Sequence, residues 1–232
     1  MSLPSWAMRL VGPFGFQTNS DSRVFEYPWC FFTAELIQGM KVLDFGSGGA
    51  GFQFALAASG ADVTSVDPLV NIVPGSGWLS SENEIRRLID VFGGKINFIR
   101  EHIDRAGLPE AYFDRIFSVS SVEHIPYAQV AGVMKEICRL LKPGGIFVAT
   151  VDLFLDCYPF SEKTSNVHGS NISIKKLIDD SGLCLRSGRT DQLYGFPDFY
   201  PEEIVGRLGD FLTVVCSGST ILTQCFVFGK SV

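Results

Sequence analysis

The sequence predicts an α/β fold, a doubly wound sheet with helices on both faces. Two observations support this prediction: strand and helix patterns alternate over residues 41–151, and a glycine-rich turn follows the first strand. Parallel strands need crossover connections, and both faces of such a sheet have to be covered. Alternation of this kind is therefore typical of a parallel sheet between two helix layers.

Five short segments rich in apolar or β-branched residues are predicted to form strands. They lie at residues 41–45, 62–66, 96–99, 113–119 and 146–151. Helical patterns fill the intervals at residues 50–59, at residues 81–92 and at residues 127–141. Ser81 and Glu84 have the spacing of a capping box, and Pro143 with its two following glycines ends the third helix.

The C-terminal part has a different pattern. Residues 173–181 indicate a helix closed by a glycine, and residues 183–189 and 220–228 indicate strands. Residues 194–218 are rich in Pro, Gly and aromatics, and residues 211–216 receive no assignment. We expect a single domain, with a cap segment at 1–40, a ligand-binding core at 41–151 and substrate-facing loops with the last strands at 152–232.

Composition excludes several classes of protein. The chain has 232 residues, 46% of them hydrophobic and 19% charged, which allows a sizeable core and argues against disorder. Its net charge is −6 without a basic run, which argues against a nucleic-acid partner. Six cysteines without a C-x-x-C pair and three separated histidines predict no metal site. Without a signal-peptide pattern or a spanning apolar run, we expect a cytoplasmic protein with no membrane partner.

The most informative stretch is residues 42–51, V-L-D-F-G-S-G-G-A-G. A glycine-rich turn between a strand and a helix lets a ligand approach the backbone closely. The helix that follows offers free N–H groups at its N-terminus. Ligands of open α/β sheets bind beyond the carboxyl ends of the strands, where this turn lies.

Two ligands compete for this turn. Gly46, Gly48 and Gly51 satisfy G-x-G-x-x-G, and Asp67 ends the second strand, so a dinucleotide is one candidate. Asp44 argues against it, because a pyrophosphate would lie near an additional negative charge. S-adenosylmethionine carries an ammonium and a sulfonium, and both are compatible with a carboxylate at this place.

Residues 44–48 resemble the first motif of class I S-adenosylmethionine-dependent methyltransferases, in the branch that methylates small metabolites. Four further segments resemble this family in the same order: residues 66–68, 102–109, 113–119 and 141–145. The resemblance implies a Rossmann-like, seven-stranded mixed sheet whose last strand is antiparallel. It also implies S-adenosyl-L-methionine as the cofactor.

The resemblance assigns the second-strand acid, Asp67, to the ribose hydroxyls and Asp104 to the adenine amino group. Leu69 is expected to pack on adenine, although ordinary core packing is the alternative. The full expected donor set is Asp44, Gly46, Ser47, Gly48, Asp67, Pro68, Leu69, Ile103, Asp104, Ser118 and Ser120. Ala50 departs from the family's third glycine, which predicts a slightly tighter turn and puts donor affinity in question.

His124 and Glu123 are the candidate catalytic residues. They follow the fourth strand and should lie beside the transferred methyl group, where a hydroxyl acceptor needs a base near neutral pH. The alternative is that His124 only shapes the pocket wall, while Glu123 orients it or caps the next helix. His168, in the loop after the fifth strand, is a second candidate for contact with the acceptor.

Three aromatic segments, at residues 23–29, 154–160 and 194–200, could cover or line an acceptor pocket. The resemblance implies a lid role for the first, and the alternative is hydrophobic clusters under long loops. We expect methyl transfer to a small molecule, at oxygen or nitrogen. A nicotinamide-dependent oxidoreductase and a non-catalytic binding protein of the same fold remain as alternatives.

Overall fold

The structure is a computed structural model that describes residues 3–70, 81–216 and 218–232. In the described chain one mixed sheet contains β1 (Lys41–Phe45), β2 (Asp62–Val66), β3 (Ile96–Ile99), β4 (Phe113–Val119), β5 (Leu141–Phe154), β6 (Cys184–Ser187), β7 (Thr213–Cys216) and β8 (Ser219–Gly229). Their order is β3-β2-β1-β4-β5-β8-β6, and β7 pairs with β8. β8 is antiparallel to β5 and β6, whereas β1 to β5 are parallel.

This topology confirms the predicted Rossmann-like mixed sheet and its antiparallel last strand. The sequence did not predict β7, which forms a hairpin with β8 within the unassigned stretch. β5 begins earlier than expected, because the chain pairs with β4 from Leu141 onward. Pro143, which was expected to end a helix, lies near the start of β5. The β4–β5 register is irregular there and shifts between Phe113 and Arg115.

The described helices are α1 (Ser5–Val11), α2 (Asp21–Thr33), α3 (Phe52–Ala58), α4 (Glu82–Phe92), α5 (Tyr127–Leu140), α6 (Ile174–Ser181) and α7 (Pro201–Gly206). Alternating strand residues divide the core between the two faces of the sheet. Leu43 belongs to the cluster under α5 and α6. Its neighbour Val42 belongs to the cluster under α2 and α3. Helices therefore cover both faces, as the alternating pattern predicted.

The capping-box prediction at Ser81 is wrong. Ser81 precedes α4 in an extended conformation, but its side chain makes no capping hydrogen bond. The Glu84 amide, which that side chain was expected to satisfy, donates instead to the Ser81 carbonyl oxygen at 3.1 Å. Ser173 does cap α6, accepting from the Lys176 amide at 3.2 Å.

The N-terminal aromatic segment forms most of α2, which the sequence pattern did not identify as a helix. Ser20 caps it by accepting from the Arg23 amide at 3.4 Å. Buried residues of α2, among them Tyr27 and Cys30, join the core cluster of β1, β4 and β5. The segment expected to act as a lid is therefore an integral part of one helix layer.

Candidate active site

The glycine turn after β1 has the backbone geometry that a close-approaching ligand needs. Gly46 and Gly48 have φ angles of +70° and +48°, in the region that favours glycine. A Cβ atom on Gly46 would lie 2.5 Å from the Ser121 Oγ atom. That hydroxyl also donates to the Gly46 carbonyl oxygen at 3.2 Å, so the loop after β4 packs directly on the donor turn.

Ala50 does not need to be glycine. Its φ is not positive, and its side chain is buried beside Tyr27 and Phe52. The N-terminal segment closes the far end of the turn, where the Gly51 amide donates to Gln17 Oε1 at 2.5 Å.

Asp67 links the two loops at the ends of β1 and β2. Its Oδ2 accepts from the Gly48 amide at 2.8 Å and its Oδ1 from the Leu69 amide at 2.7 Å. Burial raises the pKa of Asp67, while these two bonds oppose the shift. Each oxygen keeps a further lone pair that could accept a hydroxyl.

Asp44 is a buried carboxylate without a cation. It is 3% exposed, and its Oδ2 has no hydrogen-bond partner among the described residues. Burial, followed by the charge of Asp67, raises the pKa of Asp44 to about 8. An unpaired buried charge is costly, so this residue fits a ligand that brings positive charge.

The other expected donor residues occupy varied places. Ser47 and Ser118 are buried, and neither hydroxyl has a partner among the described residues. Pro68 is half-buried and Ile103 is buried in the core. Asp104 is exposed, and its carboxylate lies 3.9 Å from Arg105.

Leu69 and Ser120 are held by protein contacts. Leu69 has a φ of +55° and packs against Ile85 and Phe98. Ser120 has a φ of +41°, rare for a residue with a side chain. Its hydroxyl donates to Glu26 on α2, so that side chain is already engaged by the protein.

His124 presents a usable base. Its ring is exposed, and its Nδ1 lies 2.5 Å from the His168 carbonyl oxygen. A carbonyl can only accept, so Nδ1 carries the proton and Nε2 keeps its lone pair. Partial burial lowers the pKa of His124, which favours this neutral form.

Glu123 does not orient His124. Its side chain is 2% exposed, and its Oε1 accepts from the Asp152 amide at 2.9 Å. Burial, followed by the Asp152 carboxylate, holds the pKa of Glu123 well above its ordinary value. Of the two candidate catalytic residues, only His124 is exposed.

His168 contributes a carbonyl to His124, while its own ring packs on Phe154 with ring centroids 6.0 Å apart. Its Nε2 is buried and unpartnered among the described residues. Gly169 fixes this loop, because a Cβ there would lie 2.3 Å from the Glu123 carbonyl oxygen. The sequence-predicted histidines are therefore brought together.

Sequence reasoning missed a buried polar group that α2 brings to the carboxyl ends of β4 and β5. Glu26 is fully buried, pairs with Arg23 at 2.5 Å and accepts the Thr150 hydroxyl at 2.6 Å. Asp152 lies next to it, with Ser120 Oγ at 3.3 Å. An ionisable residue inside an otherwise aromatic segment was the available signal for Glu26.

The two aromatic loops of the C-terminal part pack mainly on each other. Phe160 and Tyr194 contact Phe199, with ring centroids 6.2 Å and 5.6 Å apart. They form a cluster with Leu153 and Leu222. The structure thus supports the packing alternative for these loops.

Comparison with known proteins agrees with this geometry. Residues 43–149 match the family described as a methyltransferase domain. A sterol 24-C-methyltransferase from Gibberella zeae is 31% identical over 121 residues, 52% of this chain and 30% of that protein. A ubiquinone biosynthesis O-methyltransferase from Xylella fastidiosa is 31% identical over 123 residues, 53% of this chain and 46% of that protein. The chain thus spans less than half the length of these relatives.

Among solved structures, the 1,6-didemethyltoxoflavin-N1-methyltransferase of Burkholderia thailandensis, with S-adenosylhomocysteine bound, has a TM-score of 0.59. It is 16% identical, and the alignment covers 91% of this chain and 82% of that one, which shows a shared fold. The fold and the glycine turn agree with this family match, which assigns a methyltransferase domain to residues 43–149. S-adenosylmethionine is the cofactor of this family, and the chain carries its methyltransferase domain over residues 43–149.

Proposed function

We propose that this chain transfers the methyl group of S-adenosylmethionine to an oxygen or nitrogen atom of a small molecule. The observation that supports it best is Asp44, a buried carboxylate with an unpartnered oxygen beside the glycine turn. A cationic donor would compensate this charge, whereas a pyrophosphate would add to it. The oxidoreductase alternative is therefore disfavoured.

The turn residues would hold the donor. Asp67 would accept the ribose hydroxyls on its remaining lone pairs, and Gly46 and Gly48 leave the backbone open to close approach. Ser47 offers a buried, unpartnered hydroxyl at the same turn. When bound, S-adenosylmethionine supplies an electrophilic methyl group on a sulfonium.

Side chains after β2 and β3 would form the adenine end. We propose that Pro68, Leu69 and Ile103 supply its apolar wall. Asp104, exposed in the turn after β3, would reach the adenine amino group. Ser118 and Ser120 would contribute from the end of β4 through backbone groups, because their side chains are buried or engaged by Glu26.

His124 would serve the acceptor. Its Nε2, which keeps a lone pair, can take a proton from a hydroxyl or an ammonium group as the acceptor reacts. The names of the relatives support a small-molecule acceptor, but they include both carbon and oxygen methyltransferases. The preference for oxygen or nitrogen therefore rests on His124.

Calorimetric titration with S-adenosylhomocysteine and, separately, NAD tests the donor site. We expect micromolar binding of S-adenosylhomocysteine, none of NAD, and strong weakening in Asp67→Ala. Asp90→Ala, which removes an exposed carboxylate of α4, is the matched control. Binding of NAD alone would contradict the proposal.

The alternative of a non-catalytic binding protein is tested by His124→Ala. A catalytic role predicts lost turnover with unchanged S-adenosylhomocysteine affinity, measured with acceptors found by screening.

The cytoplasmic location remains a prediction. No helix among the described residues is both long enough and apolar enough to span a membrane.

A further inference from the structure

The carboxyl ends of β4 and β5 meet a buried group of three carboxylates and one guanidinium. Glu26 and Arg23 come from α2, Glu123 from the loop after β4, and Asp152 from β5. Glu26 is satisfied, because Arg23 pairs with one of its oxygens at 2.5 Å and the Ser120 and Thr150 hydroxyls donate to the other.

Neither Glu123 nor Asp152 forms an ion pair among the described residues, and the Arg23 guanidinium, whose charge acts on both, is paired with Glu26. The Asp152 carboxylate receives one long hydrogen bond, from the Thr223 hydroxyl at 3.4 Å, and it lies 3.3 Å from the Ser120 hydroxyl, whose proton is directed to Glu26. Glu123 accepts the Asp152 amide with Oε1, while Oε2 is buried and unpartnered among the described residues. An acid group that is 2% exposed and lacks a partner is costly unless a proton or a cation compensates it.

This group adjoins the proposed donor site. Thr150 is in register with Val119, the last residue of β4, so Asp152 lies just past that edge. Ser121 lies two residues after Val119, and its hydroxyl donates to the Gly46 carbonyl oxygen of the glycine turn.

We propose that Asp152 and Glu123 bind a positively charged amine of the acceptor. This inference rests on the proposed function and names its substrate class. Asp152 is half-buried, so an ammonium group could approach it from solvent, and Glu123 offers the second oxygen. No set of three potential ligand side chains in the described residues could hold a metal ion, which favours an organic cation.

The protonation of Asp152 in the absence of an amine agrees with this role. Burial, followed by the Glu26 carboxylate, raises the pKa of Asp152 to about 6, against the opposing effect of Arg23. Glu123 from the β4 loop and the Cys225 thiol of β8 are its other titratable neighbours. An arriving ammonium group displaces the held proton, so amine affinity should rise as the pH increases through about 6.

Calorimetry with matched probes tests the proposal. Protein saturated with S-adenosylhomocysteine, and protein alone, would be titrated with 2-phenylethylamine and with its uncharged counterpart 2-phenylethanol. We expect the amine to bind at least about tenfold more tightly, as charged hydrogen bonds imply. Asp152→Asn and Glu123→Gln should each remove most of this preference, and Asp90→Asn should retain it.

Three results would overturn the proposal: equal affinity for amine and alcohol, no binding of either at millimolar concentration, or a preference that survives both substitutions. If Asp152→Asn instead weakened S-adenosylmethionine but not S-adenosylhomocysteine, the group would face the donor sulfonium and the acceptor assignment would be wrong. Failure of S-adenosylhomocysteine to bind would contradict the proposed function. This outcome can be distinguished from failure of the amine proposal, because the titration of the protein alone still measures amine binding. Thermal melting identifies any variant that fails to fold.

Discussion

The donor half and the acceptor side of the molecule are organised differently. The donor turn is local: Asp44, Gly46 and Gly48 lie within five residues, and Asp67 reaches back to them through one hydrogen bond of 2.8 Å. The acceptor side is assembled from distant parts, since Ser120 and Glu26 are 94 residues apart. The donor turn can therefore be recognised as a sequence motif, whereas the contacts of the acceptor side can be identified only from the folded structure.

The charge balance differs in the same way. The donor turn presents one buried carboxylate, Asp44, beside Asp67. On the acceptor side Arg23 offsets part of a larger negative charge. The first arrangement would suit the fixed positive charge of the proposed donor, and the second would suit the proposed amine of the acceptor. The following predictions test this contrast, from the largest expected effect to the smallest.

Glu26→Ala should cause the largest loss of stability, about 3–5 kcal/mol, because it removes the ion pair with Arg23 and the buried acceptor of the Ser120 and Thr150 hydroxyls. Chemical denaturation measures the change. Glu82→Ala is the matched control, since Glu82 forms a comparable helical pair with Arg86 near the surface. That control should lose less than about 1 kcal/mol. Equal losses would show that α2 is not anchored through Glu26.

Asp44→Asn should stabilise the ligand-free protein at pH 8 by roughly 2–4 kcal/mol. The folded-state pKa is raised from 3.8 to about 8, so Asp44 favours the folded state most below pH 4. That contribution is lost as the pH rises through about 8, and asparagine avoids the loss. Denaturation at pH 4 and pH 8 measures the effect.

The same substitution separates donor binding from stability. S-adenosylmethionine affinity should rise with pH through about 8 in the wild type, as Asp44 ionises, and should be lower and flatter in Asp44→Asn. Asp90→Asn should behave as wild type. A stabilised Asp44→Asn variant with unchanged donor affinity would leave Asp44 without a role at the donor site.

Asp67→Ala should weaken S-adenosylhomocysteine binding by about 30- to 100-fold, because it removes the expected ribose acceptor and leaves the Gly48 amide unpaired. Asp104→Ala is the informative comparison. The Asp104 side chain is exposed, so its removal should cost about tenfold or less. A larger effect at Asp104 than at Asp67 would reverse the proposed ranking of the two acids.

Gly46→Ala should destabilise the protein by about 2–3 kcal/mol. It combines a φ of +70° with a Cβ position 2.5 Å from Ser121. Gly93→Ala is a matched control, because Gly93 has a φ of +72° with nothing within 4 Å of the added Cβ. The difference between the two variants measures how tightly the donor turn packs on the loop after β4.

The same contrast explains what the sequence could predict. The strands of the donor half are short segments of apolar and β-branched residues, and Gly46 and Gly48 need positive φ angles, so the fold and the position of the turn were predictable. α2 was missed because a proline and five aromatics obscure its helical periodicity. An orienting role of Glu123 toward its sequence neighbour His124 was one expectation, and only the fold shows that its carboxylate accepts from the Asp152 amide instead.

Ala50→Gly tests the one departure from the family's glycine pattern. Ala50 has no positive φ, and its buried methyl group packs in the cluster of Tyr27 and Phe52. Glycine would remove that contact and increase the freedom of the unfolded chain, which together should cost about 1 kcal/mol. S-adenosylhomocysteine affinity should stay within about twofold of wild type. Tighter binding by Ala50→Gly would show instead that alanine constrains the donor turn, and that the chain trades donor affinity for the packing of α2.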